Sequence, residues 1–389
     1  MAQTRAWTSF RQFGARLMHI CHVVRQYYPS TGGLENFVAT LARHLTELGS
    51  VNAVITLDRL FSNPSEDLER REIIDDVLVR RVPFFGHRRM FAPLIPQEML
   101  RRFDVIHVHG IDGMFERVAR QRRQDGQIRI ATSHGAFFHT PFLHSVKKAY
   151  FASITKIAAQ SYDGLIANSA QDAGLLRDLR RDLITIPNGI EPLGAFMAQG
   201  KDLLYLGRLS SNKHIERLIT TLAQPALDGV RLHVVGPDWD VTGAALQTQA
   251  AGLGVSDRLI IHGRLDQDAL AAVARQCGVF VSASLYEGFG MSLIEAMSIG
   301  LMPVVQPNAS FVELIGEAKL GALAPFEQPA VAARAIADQL SGANPALRAA
   351  AMAYARRFSW RTHARQTFKY YEERRAAQTE PRGALAATA

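Results

Sequence analysis

Residues 286–297 read YEGFGMSLIEAM: Glu287 stands directly before Gly288 and Gly290, and a second carboxylate, Glu295, follows eight positions on. Carboxylates accept hydrogen bonds, so two of them close together suit a ligand rich in hydroxyls, such as a ribose or a sugar ring. The glycines let the backbone turn and approach that ligand closely. Upstream, Gly207-Arg208-Leu-Ser-Ser-Asn-Lys213 carries two cations on one short stretch. Arginine forks onto phosphate oxygens and lysine adds a point charge, so the pair fits a polyphosphate; a solvated loop is the plainer alternative. Ser30-Thr-Gly32-Gly33 is a third place of this kind, where N–H groups at a helix start can meet an anion. It is neither G-x-G-x-x-G nor a Walker A loop, and Gly-Gly by itself is often only turn geometry.

The elements that must carry these residues alternate. In the first half, β-branched runs at 19–25, 51–57, 77–84, 104–110, 128–134, 163–169 and 183–189 predict strands. Between the first two, Leu34, Phe37, Val38, Leu41, Leu45 and Leu48 share a helical face. The second half repeats the rhythm, with strands at 202–208, 230–236, 258–264, 279–284 and 302–306. Such alternation predicts an α/β fold of two Rossmann-like domains, with parallel sheets facing across a cleft at the strands' C-terminal edges. The expected division is 1–190, a linker 191–201, a second domain 202–358, a helix 359–377 returning to the first domain, and a disordered tail 378–389. The strand VFVSAS (279–284) puts LYEGFG at such an edge. Leu293, Ile294, Met297 and Leu301 then mark a packed helix, with Ser292 as its cap and Glu295 in its first turn. That helix start offers N–H groups to a phosphate.

With 389 residues, 48% of them hydrophobic, the chain is long enough for two cores. No apolar run reaches the roughly 18 residues of a spanning helix, and the N-terminus has no signal-peptide h-region. Cys21 and Cys277 make neither a disulfide framework nor a metal cluster, which fits a reducing cytoplasm. Net charge is +8; residues 1–195 hold 25 Lys/Arg against 19 Asp/Glu, and the remainder 19 against 17. The positive excess therefore lies in the first half, where it suits anionic lipid, polyphosphate or nucleic acid. Basic residues interleaved with stacking aromatics are not evident, so nucleic acid is not expected. Trp7, Phe10, Phe13 and Leu17 share a helical face flanked by Arg5, Arg11 and Arg16, and the segment Arg88–Arg102 mixes apolar and basic residues again. Both suit an anionic membrane surface; a disordered leader and a packed loop are the alternatives. Asp238-Trp-Asp240 has the spacing of a metal-binding D-x-D but follows a strand and Pro237, outside that motif's setting, and the pair His107/His109 shows no third ligand, so no metal is expected. Asp266 is read as a helix cap.

The stretches STGGLENF (30–37), VIHVHG (105–110), SHG (133–135), IANS (166–169), IPNGI (186–190), GRLSSNK (207–213), HGRL (262–265) and EGFGMSLIEAM (287–297) appear in this order. With them the chain resembles the retaining glycosyltransferases of family 4, whose fold is called GT-B, from about His19 to about Leu323. The resemblance implies that Arg208 and Lys213 neutralise the diphosphate leaving group, that Glu287 holds hydroxyls of the donor sugar, and that Glu295 holds the ribose. Backbone amides from Gly288 and Phe289 to Gly290 and Met291 help hold sugar and phosphate. Gly32 and Gly33 let a loop approach the donor phosphates or the acceptor, His134 touches the transferred sugar, and Ser169 supports the site. His134, Lys213 and Glu287 are thus the expected catalytic residues, with no cofactor beyond the nucleotide-sugar substrate. The likeness runs to bacterial α-mannosyltransferases of exopolysaccharide assembly. It implies GDP-mannose as donor and a polyprenyl-diphosphate-linked cellobiosyl acceptor receiving an α-1,3-linked mannose. The protein is then expected in the cytoplasm, peripheral on the inner membrane face. A UDP-sugar donor, or a nucleotide-sugar epimerase using the same site, stays open. One departure is Pro303-Val-Val-Gln-Pro307-Asn308-Ala-Ser310, where the family carries a glycine-rich stretch.

Overall fold

The computed structural model describes residues 17–88, 90–134 and 151–379. The leader expected to bind membrane, up to Arg16, lies outside the described residues, as do Arg89, Gly135 and the chain beyond Thr379. The chain divides into two compact units, 1–186 with 364–389, and 187–363.

The first unit's described strands are β1 (His19–Val24), β2 (Val51–Leu57), β3 (Arg59–Leu60), β4 (Asn63–Asp67), β5 (Arg71–Ile74), β6 (Val77–Val82), β7 (Phe84–His87), β8 (Met90–Pro93), β9 (Val105–His109), β10 (Ile128–Thr132), β11 (Gly164–Ala167) and β12 (Leu183–Thr185). Eight form one sheet in the order β12-β11-β10-β9-β1-β2-β6-β5. It is parallel except for β5, which pairs antiparallel with β6. Strands β1, β2, β9 and β10 are buried almost throughout, as expected of parallel strands covered on both faces. The helix Gly33–Glu47 packs through Phe37, Val38, Leu41, Ala42 and Leu45, a spacing of three and four residues that gathers one apolar stripe. Strand order reverses between β1 and β9, the place where doubly wound sheets bind ligands beyond their carboxyl ends.

The second unit has β13 (Asp202–Leu206), β14 (Leu232–Val235), β15 (Leu259–Gly263), β16 (Cys277–Ser282), β17 (Met302–Val305) and β18 (Ala322–Leu323). All are parallel, in the order β15-β14-β13-β16-β17-β18, so this reversal falls between β13 and β16. Leu193 and Ala198, in the stretch read as a linker, belong to this unit's hydrophobic core, and Ala198 N–H donates to the Ile299 carbonyl (2.7 Å). The chain's last helix, Trp360–Thr379, begins in this unit and continues in the first. Gln378, placed in a disordered tail by the sequence, still lies in that helix and donates to Asp163 (3.0 Å).

Candidate active site

In the second unit, the loops after β13 and β16 flank the reversal of strand order, and the sequence's cations and carboxylates sit on them. Ser211–Lys213 forms a single 3-10 turn, ended by His214 in the left-handed region (φ 49). That turn swings Lys213 across to the neighbouring loop, where its Nζ lies 2.7 Å from Glu287 Oε1. Both side chains are largely but not wholly buried, at 19% and 13% exposure. A partly dry, charge-assisted pair of this kind fixes the positions of both groups.

Arg208 is exposed, and its guanidinium lies over the Trp239 ring at 4.8 Å from the centroid. Trp239 belongs to the Asp-x-Asp that resembled a metal motif. Its two acids serve the backbone instead: Asp240 accepts from Ser211 N–H and Oγ (2.8 Å each), and Asp238 accepts from Gly243 N–H (3.1 Å). Leu209 adds a bridge to Asp238, so the whole loop 207–213 is clamped to the loop after β14. The clamp requires glycine at 236, because a Cβ there would fall 1.9 Å from the Gly207 carbonyl oxygen. Sequence reasoning missed this bracing role; the visible signal was a tryptophan placed just after a strand end.

The Glu287 loop is held from below. Ser310 Oγ donates to the Glu287 carbonyl (2.7 Å), and Asn308 Nδ2 donates to the Ser284 carbonyl (2.8 Å). Asn308 also caps the helix Ala309–Ala318, accepting from Phe311 N–H. The segment that departs from the family's glycine-rich pattern thus positions the carboxylate loop. Gly288 and Phe289 continue that loop; Phe289 packs on Phe358 at 5.7 Å, and Gly288 has open space where a Cβ would stand.

Two local expectations are corrected. The helix Met291–Met297 is capped by Gly290, not Ser292, because Gly290 takes φ 94 and turns the chain into the helix two residues earlier. Glu295 therefore lies in the second turn, not the first. It is partly buried, and its pKa is raised to about 7, chiefly by burial and next by the charge of Glu191. Gly290 also has no room for a side chain: a Cβ would stand 2.9 Å from Leu314 Cδ1 and 3.2 Å from Phe311 Cε1. Gly290→Ala is expected to cost about 2–4 kcal/mol from the left-handed backbone and the crowded contact together. Urea unfolding measures this, and a variant as stable as the parent would contradict it.

In the first unit, Gly32 is the N-cap of the helix Gly33–Glu47 and has no side-chain cap. The Glu35 carboxylate folds back to this turn, accepting from Ser30 Oγ (3.1 Å), and a Cβ on Gly32 would meet it at 2.3 Å. The turn proposed for an anion therefore already holds one from the chain itself, while Gly33 has open space around it. His134 follows β10 in the left-handed region (φ 51) and is half-buried. Its ring meets Phe37 edge-on at 4.4 Å, and its nitrogens are bonded to His109 and Asn168. Ser169 caps the helix Ala170–Leu176, accepting from Asp172 N–H (3.2 Å), which accounts for it as a structural residue. Asp266 likewise caps its helix.

Two parallel-sheet units of this kind make up the GT-B architecture of glycosyltransferases. The family description "Glycosyl transferases group 1" matches residues 195–358 and "Glycosyltransferase Family 4" matches residues 31–192. The chain belongs to glycosyltransferase family 4 and is a glycosyltransferase. It is 33% identical over 381 residues to the GDP-mannose:cellobiosyl-diphosphopolyprenol alpha-mannosyltransferase of Xanthomonas campestris, covering 94% of this chain and 98% of that protein. A protein of the same name from Komagataeibacter xylinus is 32% identical over 92% of this chain and 94% of its own length. Among solved structures, the sucrose-phosphate synthase of Thermosynechococcus elongatus superposes with a TM-score of 0.70 at 20% identity, covering 92% of this chain and all of that one. A glycosyltransferase from Rickettsia africae gives 0.70 at 17% identity, again over 92% of this chain and 99% of its own.

Proposed function

We propose that the protein transfers mannose from GDP-mannose to a polyprenyl-diphosphate-linked cellobiose, with retention of configuration and an α-1,3 linkage. The observation that carries the chemistry is the Lys213–Glu287 pair at the strand-order reversal of the second sheet, with Arg208 exposed on the same loop. When the anomeric C–O bond breaks, negative charge collects on the departing diphosphate and positive charge on the sugar. Lys213 and Arg208 answer the first, preorganised by the Glu287 carboxylate and the Trp239 ring, so little reorganisation is needed as charge develops. Glu287 keeps acceptor capacity for sugar hydroxyls, and Glu295 is assigned the ribose. Donor and acceptor identity rest on the named relatives, which match nearly the whole chain.

The test is incubation of purified protein with labelled GDP-mannose, UDP-glucose or UDP-galactose, with and without polyprenyl-diphosphate cellobiose. Transfer from GDP-mannose alone, and only with the lipid-linked disaccharide, is the expected result. Transfer from a UDP-sugar, or conversion of the donor without acceptor, would replace this reading.

A lipid-linked acceptor calls for a membrane-facing surface, and no helix among the described residues is long and apolar enough to cross a bilayer. We assign that surface to the β7–β8 hairpin of the first unit, and with it a peripheral place on the cytoplasmic face. Phe84 and Phe91 point inward, while Phe85 and Met90 are 69% and 76% exposed. Arg88, Arg101 and Arg102 are exposed nearby in sequence. Apolar tips flanked by cations suit an anionic interface. Phe85→Asp with Met90→Asp is expected to weaken binding to vesicles containing phosphatidylglycerol by about tenfold or more, given about 1.5–3 kcal/mol per fully buried apolar side chain. Unchanged cosedimentation would remove the hairpin from the membrane.

A further inference from the structure

His134 ends a buried row of hydrogen-bonded side chains whose hydrogens can be assigned from the opposite end. Thr46 Oγ1 donates to the Ala42 carbonyl (2.9 Å), and Ser50 Oγ donates to the Leu45 carbonyl (2.8 Å). A hydroxyl has one hydrogen, so both offer only lone pairs to Asn52, whose Nδ2 donates to each at 2.9 Å. The amide's orientation is thereby set, and its Oδ1 faces His22 Nε2 at 3.1 Å. That nitrogen must carry a hydrogen. A neutral His22 then has a bare Nδ1, 2.9 Å from His109 Nε2, which must donate. His109 is left with a bare Nδ1, 3.2 Å from His134 Nε2, which must donate in turn. His134 Nδ1 remains as an acceptor, with Asn168 Nδ2 at 3.1 Å to supply the hydrogen.

We propose that Asn52 is a positioning residue, which through His22 and His109 fixes His134 as a neutral imidazole with its hydrogen on Nε2. The row starts from a neutral ring, because burial pushes His22 down to about 4 against the opposing effect of its bond to Asn52. The significance rests on the glycosyl-transfer reading above. The family resemblance implies that His134 touches the transferred sugar; where positive charge grows on the anomeric carbon, an imidazolium in that role would oppose it, whereas a neutral ring does not. His134 consequently spends both ring nitrogens inside the protein and is neither the general acid nor the general base. The nearby His107 does not interrupt the row: its Nδ1 meets Tyr371 Oη at 2.6 Å and its Nε2 meets Thr132 Oγ1 at 2.7 Å. His22, His107 and His109 bring their ring nitrogens within 4.8 Å of one another, as metal ligands would, but hydrogen bonds to protein groups occupy them.

The experiment uses the full-length protein with 15N-labelled histidine, at pH 7 and without substrate. Long-range 1H–15N correlation distinguishes a protonated from a bare ring nitrogen, and His134 is assigned by its disappearance in His134→Gln. The expected wild-type spectrum shows a bare Nδ1 and a protonated Nε2. Asn52→Ala removes the anchor, so the two His134 nitrogens are expected to move toward averaged positions. In the same variant kcat falls about tenfold with the donor KM little changed, by analogy with the outer partners of metal-bound histidines, whose loss costs about 10–100-fold. A wild-type His134 protonated at Nδ1, or at both nitrogens, would overturn the proposal, as would an unaltered His134 spectrum in Asn52→Ala. Should Asn52→Ala not fold, the wild-type spectrum decides alone. An ordered row in a protein that transfers no sugar would strike the functional reading and leave this one standing.

Discussion

Lys213→Ala is expected to lower kcat/KM by about 10²–10³, or about 2.7–4 kcal/mol, the loss typical of removing one preorganised group from a developing anion. Lys213 does two things at once. It would meet the departing diphosphate, and it neutralises Glu287 at 2.7 Å. Removing it leaves an unpaired carboxylate beside a ligand that is itself negative, so the loss belongs at the upper end of the range. Glu287→Gln in the Lys213→Ala background should then recover part of it, giving a double variant less impaired than the two single effects summed. Steady-state kinetics of the four proteins measures this, with circular dichroism to confirm that each is folded. A Lys213→Ala enzyme within about threefold of wild type would end the assignment.

Glu295→Gln should change the pH dependence of both stability and donor binding. In the folded chain Glu295 holds its proton up to about pH 7, while an unperturbed glutamate releases it near 4.5. Between these values the folded state binds more protons than the unfolded one. Wild-type stability therefore falls as pH rises from 4.5 through 7, by up to about 3 kcal/mol. Glutamine cannot titrate, so the variant should lack this fall and gain on wild type at pH 8 relative to pH 5 in urea unfolding. A ribose hydroxyl donates, and so prefers the carboxylate; donor binding should release a proton and tighten as pH rises toward 7. Calorimetry in buffers of different ionisation enthalpy reads the proton directly. In Glu295→Gln binding should be weaker and flat with pH, and a parallel slope in both proteins would show that another group titrates.

The parallel sheets were legible because β-branched runs buried on both faces leave an unbroken apolar signal, as in β1, β9 and β16. The antiparallel pieces between Arg59 and Pro93 were not. Strand β4, Asn63–Asp67, is exposed at every position and is held by backbone pairing to β3, which leaves no apolar pattern. The loop cations and carboxylates could be listed from sequence, but their pairing could not. Lys213 and Glu287 meet only because β13 and β16 are neighbours, although the two residues lie 74 positions apart. The cap at Gly290 was missed because Ser292 fits the usual capping preference, whereas the left-handed turn is a property of the backbone. The row from Asn52 to His134 was invisible, since its members come from β1, β2, β9 and the loop after β10.

The last helix has a consequence for synthesis. Tyr371 bonds to His107, Arg374 to Asp182 at 2.8 and 2.9 Å, and Arg375 to Asp104, so the first unit is completed by residues that follow the second unit in the chain. The middle unit, 187–363, is an uninterrupted stretch and can form its core as soon as it clears the ribosome. The amino-terminal unit must wait, with His107 lacking its tyrosine, until the helix Trp360–Thr379 emerges. A premature stop before Tyr370 would thus do its damage in the amino-terminal half and spare the unit next to it.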